Sequence, residues 1–153
     1  MLSRILTVVA VVSMLAVPLR ADYTRNVAIV VWDGAEILDW GGPSEVFESA
    51  ARFGQQGKDR AFNVYTVSKT TEPIVSQRFI KVVPQYSIED APKPDIVVLP
   101  GGGTGSVLND PAFLKWAGQA AGEAEVALSV CTGAFILAKH GMLGRREKCS
   151  TVS

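Results

Sequence analysis

Three short stretches constrain this chain more than any other feature. Residues 26–32, 95–99 and 124–130 are mainly apolar and rich in valine and isoleucine. They are too short for helices and lack the strict alternation of a strand with one wet face, so they read as strands buried on both sides. Helix patterns separate them, and strands alternating with helices imply a parallel sheet covered on both faces. In such sheets ligands bind beyond the carboxyl ends of the strands. Three segments fall at that rim: residues 33–39, residues 101–105, and Cys131.

The remaining segments fit this frame. Residues 62–68 alternate and predict another strand. Pro43 is suited to a first helical turn, and Glu45 to the positive end of the dipole. Val46, Phe47 and Ala50 follow helical spacing, with Gly54 as the stop and a polar loop after it, over 55–60. Residues 73–76 and 79–83 suggest a small hairpin beside the main sheet. Residues 87–90 suggest one helical turn, and 91–94 a breaker. Asp110-Pro111 caps a further helix, with Phe113, Leu114, Ala117, Ala120 and Ala121 inward and Gly122 as its stop. The last helix runs to about His140-Gly141. Trp32, Trp40 and Trp116 read as core or rim aromatics.

Composition matters at the first residues and in the charge. Residues 1–21 carry Arg4, an apolar run over 5–17, and then Pro18-Leu19-Arg20-Ala21. This is a signal-peptide pattern with cleavage after Ala21, and it predicts an exported protein, periplasmic or secreted. The full chain of 153 residues has zero formal net charge. Removing that segment takes two arginines and no acid. A balance so close to neutral gives no electrostatic footprint for nucleic acid. Export would allow Cys131 and Cys149 to pair, but Cys149 lies in a polar tail with no disulfide framework around it, so the pairing is not expected.

The stretch 124–138 carries the chemistry. A strand passes one cysteine, turns at Thr132-Gly133, and continues as an apolar helix, which is the layout of a nucleophile elbow. A helix N-terminus favours the thiolate form of Cys131, and Gly133 lets other backbone approach the turn. A buried structural cysteine ending a strand is an equal alternative on these residues alone. A reactive thiol needs a proton partner, which Asp39 or Glu36 could supply. Developing charge needs donors, and the backbone N–H groups of Gly102 and Thr132 could serve. A plain turn at 101–103 and solvated acids at 36 and 39 are the simpler readings of each taken singly. The glycine run is a poor match to a nucleotide loop, and there is no Walker pattern.

The segments Gly34-Ala35-Glu36-Ile37-Leu38-Asp39, Gly42-Pro43-Ser44-Glu45-Val46-Phe47, Leu99-Pro100-Gly101-Gly102-Gly103 and Ser129-Val130-Cys131-Thr132-Gly133-Ala134 together resemble the ThiJ/PfpI family. That family belongs to the class I glutamine amidotransferase-like superfamily. The elbow and the Leu-Asp-x-x-Gly-Pro segment look most like the isocyanide hydratase branch and the sensing domains joined to AraC-type regulators. The resemblance implies a flavodoxin-like three-layer α/β sandwich with a mostly parallel sheet. It implies Cys131 as nucleophile, Asp39 as the carboxyl group beside it, Thr132 as hydroxyl and amide donor, and Gly102 as a second amide donor. Glu36 and Gly103 are weaker candidates. Thr132, where the protease-like branch has histidine, argues against peptidase activity. No metal or organic cofactor is implied. The expected partners are a small-molecule substrate and a second copy in a homodimer, with no nucleic acid and, after signal cleavage, no membrane.

The resemblance covers residues 27–146, giving a signal segment 1–21, a domain 22–146 lacking the C-terminal elements of relatives, and a divergent tail 147–153. The relatives' Thr-His-Trp segment is absent, which predicts an exposed sheet edge and an apolar patch. His140 is read as a helix-end residue with a structural role. The functions in competition are a cysteine-dependent enzyme acting on a small electrophile, a non-catalytic binding or sensing domain, and an inactive fragment.

Overall fold

The computed structural model describes residues 23–53 and 60–143. The predicted signal segment 1–21, Gly54 and most of the polar loop after it, Cys149 and the tail 147–153 lie outside the described residues. The elements are β1 (Arg25–Val30), α1 (Ile37–Phe53), β2 (Phe62–Ser68), β3 (Ile74–Ser76), β4 (Ile80–Val82), β5 (Tyr86–Ser87), β6 (Ile96–Leu99), α2 (Gly105–Leu108), α3 (Pro111–Glu123), β7 (Val126–Ser129) and α4 (Ala134–Lys139), with a 3-10 turn at Cys131–Gly133 before α4.

β5, β2, β1, β6 and β7 form one sheet in that order, and every pairing in it is parallel. Strand residues point alternately to the two faces, and here each face has its own core. Ala28, Val30, Trp32, Val97 and Leu99 pack with Phe113, Ala117 and Ala121 of α3 and with Ile136 and Leu137 of α4. Val27, Ile29, Val31, Ile96 and Val98 pack with Trp40 and Phe47 of α1 and with Ile74 and Val82 of the hairpin. The parallel sheet covered on both faces, expected from the apolar runs, is therefore present, and with it the three-layer sandwich that the resemblance implies. β1 and β6 are its centre, with Val27 to Val31 and Val97 to Leu99 fully inaccessible. Each such side chain contributes roughly 1.5–3 kcal/mol on burial.

Several elements differ from the sequence reading. α1 begins at Ile37, six residues before Pro43, so Pro43 is inside it and Glu45 is mid-helix. Pro43 is the seventh residue of α1; its φ suits the helix, but it supplies no amide for the Asp39 carbonyl and its ring crowds that group. Before it, Trp40 packs against the sheet and the Glu36 carbonyl accepts the Asp39 and Trp40 amides, which extends the helix back toward β1. The predicted turn at 87–90 is preceded by β5, a two-residue strand parallel to β2. Gly122 does not stop α3, which runs to Glu123 and ends at Ala124. Its start is as expected: Asp110 Oδ1 accepts from the amides of Ala112 and Phe113, each at 3.1 Å.

The largest difference is β7. It was read as buried on both faces, yet Val126 is 50% and Leu128 38% exposed. β7 is the sheet edge, with β6 as its one strand neighbour. Among the described residues this apolar strand is a sheet edge. Phe135, on the helix that follows, is 57% exposed.

Candidate active site

The site is assembled at the carboxyl ends of β1, β6 and β7, where the three loops meet. The first loop leaves β1 through Asp33 and Gly34, whose φ is +84°. The carbonyl of Glu36 accepts the amides of Asp39 at 3.2 Å and Trp40 at 3.3 Å and so starts α1. Asp39 falls in the first turn of that helix, where the dipole favours a carboxylate.

The second loop leaves β6. The Gly101 amide donates to Asp39 Oδ2 at 3.0 Å, and the Gly101 carbonyl accepts the Glu36 amide at 3.0 Å. Gly102 forms an antiparallel bridge with Ala35, and the Gly103 amide donates to the Gly34 carbonyl at 2.8 Å. The acid-bearing loop is thus zipped to the glycine loop over three consecutive residues. Gly102 has φ +99°, and a Cβ there would lie 2.3 Å from the Gly34 carbonyl oxygen. Only glycine allows both the conformation and the approach.

The third loop is the elbow. The Val130 amide donates to the Leu99 carbonyl at 2.9 Å, and the chain then turns at Cys131, whose φ is +52°. Left-handed backbone costs a residue with a Cβ roughly 1–2 kcal/mol, and such strain collects at functional positions. Gly133 makes the turn feasible, because a Cβ there would meet the Leu99 carbonyl oxygen at 2.0 Å. Cys131 is a free, exposed thiol. Thr132 is half-buried, and its Oγ1 accepts from the Gly102 amide at 3.1 Å and lies 3.3 Å from the Gly102 carbonyl.

Gly101 shows how closely these groups converge. A Cβ on it would sit 2.7 Å from Asp39 Oδ2, 2.8 Å from the Thr132 nitrogen and 2.8 Å from Thr132 Oγ1. The acid and the elbow therefore share one point in space. Of the residues singled out from sequence, Asp39, Gly102, Gly103, Cys131 and Thr132 stand on this rim. Glu36 is there through its backbone, which starts α1 and bonds Gly101.

One expectation needs correction. The Gly102 amide was to be an open donor for developing charge, but it is taken by Thr132 Oγ1. The Gly101 amide is likewise taken by Asp39. The Thr132 amide, in the first turn of the 3-10 segment, is the donor of a kind that has no partner within its own helix. Gly101 was not singled out as a site residue; the first glycine after a proline gave no signal beyond a turn.

His140 stands behind the elbow. Its Nε2 is 2.8 Å from the Leu114 carbonyl. A Cβ on Gly118 would fall 2.2 Å from the ring, so the imidazole lies flush against α3. It holds the end of α4 and is part of the scaffold.

These features have counterparts in known proteins. A sequence model of the DJ-1/PfpI family matches residues 25–153. A Streptomyces lividans protein described as an uncharacterized protein in the cpoL 5' region is 36% identical over 129 residues, covering 80% of this chain and 84% of that one. The isonitrile hydratase of Pseudomonas putida is 29% identical over 123 residues, covering 79% of this chain and 50% of its own. The crystal structure of a ThiJ/PfpI family protein from Pseudomonas syringae superposes with a TM-score of 0.69 at 26% identity, over 86% of this chain and 51% of that one. The chain thus spans about half the length of the hydratase and of the Pseudomonas syringae protein. A parallel sheet, a strained cysteine turn and a glycine loop zipped to an acidic helix start, together with a family match over most of the sequence, have one reading: the chain belongs to the DJ-1/PfpI family.

Proposed function

We propose that this domain is a cysteine-dependent enzyme acting on a small electrophile, and that an isonitrile is its substrate class. The observation that carries the reading is the elbow. Cys131, an exposed residue, is held at φ +52° on the rim where Asp39 is fixed at one oxygen by the Gly101 amide. Left-handed backbone at a residue with a Cβ is strained, and strain of this kind gathers at active sites. Similarity to the Pseudomonas putida isonitrile hydratase supports the choice of substrate.

The chemistry follows from these groups. The Cys131 sulfur attacks the terminal isonitrile carbon, and a proton delivered by way of Asp39 ends on that carbon, giving a thioimidate. Water then adds to the same carbon, losing a proton to the carboxylate and placing one on nitrogen. The tetrahedral adduct collapses, the carbon–sulfur bond breaks, the thiolate is restored and an N-formamide leaves. The net change is addition of one water. Asp39 can serve because one carboxylate oxygen is enough for the Gly101 amide, and the group has further acceptor positions for proton transfer. The Thr132 amide is the donor nearest the reacting sulfur in sequence.

The test is incubation with an aryl isonitrile and detection of the formamide. Formation that disappears in Cys131→Ser supports the reading; no product above that control rejects it. Export is part of the same proposal and rests on residues 1–21. N-terminal sequencing of the protein from the cell envelope or medium, giving a start at Asp22, would support it, and recovery of the intact N-terminus in the cytoplasm would reject it.

A further inference from the structure

The β3–β4 hairpin lies outside the main sheet and carries none of the candidate site residues, yet one of its side chains bonds the residue next to the acid. Ser76 is a polar residue with no exposed surface. Its hydroxyl donates to the Ala35 carbonyl at 2.6 Å and accepts from Trp40 Nε1 at 3.0 Å. A serine hydroxyl has one proton, and here the Ala35 carbonyl takes it, so the oxygen is left to accept from the indole. Two further backbone bonds seat the hairpin on the same loop: Gln77 N to the Ala35 carbonyl at 3.2 Å and Gly34 N to the Val75 carbonyl at 2.9 Å.

The two partners of that hydroxyl are informative. Ala35 is the residue bridged to Gly102, and Trp40 is next to Asp39 in the first turn of α1. Fixing the Trp40 indole fixes the rotation of that turn about the helix axis. The direction of the neighbouring side chain, Asp39, is fixed with it. Ser76 therefore ties the glycine loop and the acid-bearing turn to one buried atom.

We infer that Ser76 and the Trp40 indole form a positioning pair that sets the orientation of Asp39 toward the Gly101 amide. The catalytic part of this inference rests on the reading of Asp39 proposed above; the structural part does not. Neither residue touches the reacting atoms, so each acts through Asp39.

The experiment is chosen so that it needs no turnover. The Gly101 amide donates to the Asp39 carboxylate, so its resonance in a ¹⁵N–¹H spectrum reports that bond. Asp39→Asn supplies the reference position for a site without the carboxylate. Ser76→Ala and, as a second variant that removes the indole donor with part of the ring, Trp40→Phe should each move the Gly101 resonance toward that reference. Ser76→Ala combined with Trp40→Phe should move it no further than the larger single change, because the two act as a unit. In parallel, formamide production should fall about tenfold in kcat with KM little altered, the pattern of a misdirected group rather than a lost binding contact. In an Asp39→Asn background neither substitution should lower kcat further. A Gly101 resonance that stays in place in a folded Trp40→Phe protein overturns the inference. So do kcat losses that add in the Asp39→Asn background. If wild-type protein makes no formamide but the Gly101 resonance moves as described, the positioning pair stands and the enzymatic reading falls.

Discussion

The Gly101 amide donates to Asp39 Oδ2 at 3.0 Å, and this bond fastens the acid of one loop to the glycine loop of the next. The Cβ missing from Gly101 would lie between Asp39 Oδ2 and the Thr132 backbone. Gly101→Ala should push these groups apart, and alkylation of Cys131 by iodoacetamide is the measurement. A displacement of about 1 Å at a reacting group costs up to about 100-fold in rate, so the alkylation rate and any formamide activity should change by about 10- to 100-fold. The far-UV circular dichroism spectrum should remain that of the folded protein.

The elbow stores strain, and that strain can be measured. Cys131 has φ +52°, a conformation open to glycine and unfavourable to alanine. Cys131→Gly should be more stable than Cys131→Ala by about 1 kcal/mol, although both lose the thiol. Urea denaturation of the two variants provides the comparison. Equal midpoints would show that the turn relaxes without strain.

Gly133 should be far less tolerant than Gly101. Its absent Cβ would be 2.0 Å from the Leu99 carbonyl oxygen and 2.6 Å from that of Pro100. Both are backbone atoms that cannot rotate aside. Gly133→Ala should lower stability by about 3 kcal/mol or more, seen as a large fall in Tm or as insoluble expression.

Acid stability should depend on Asp110. Its hydrogen bond to the Lys69 ammonium, and then the Phe113 and Ala112 amides, hold its carboxyl below the ordinary carboxylate value in the folded protein. Because the folded value is the lower one, the stabilisation is complete above the unfolded value and is lost as pH falls through the folded one. Asp110→Asn keeps a capping oxygen but cannot titrate. Its Tm should therefore fall less than that of the wild type between pH 5 and pH 2, and thermal melts across that range will show it.

The open edge makes a prediction about solubility. Val126, Leu128 and Phe135 are exposed on β7 and at the start of α4, and an unpaired apolar edge is a template for association. Val126→Lys with Leu128→Lys should reduce light scattering in concentrated solution. An unchanged or increased signal would show that this edge does not drive association.

The fold was legible because burial on two faces leaves an unmistakable mark: 27–31 and 96–99 have no polar position to betray a wet side. The same signal is ambiguous at β7, whose apolar residues are exposed among the described residues. The start of α1 was misplaced because proline was given more weight than the apolar residues before it. The rim was legible as well, since an acid, a glycine run and a cysteine each follow the end of an apolar strand. The partners within it were not. Nothing local in the sequence shows that the Gly102 amide bonds Thr132, or that a serine in a three-residue strand anchors a tryptophan, because these contacts join segments 30 and 36 residues apart.

α4 has six residues, too few to persist by its own backbone bonds. The imidazole of His140, resting on the bare backbone of Gly118, lends it the rigidity of its longer neighbour. The sulfur nine positions upstream consequently inherits its aim from a notch on another helix. A side chain grown into that notch, even one as small as alanine, would be felt as a loosened nucleophile at a place where no contact with the thiol exists.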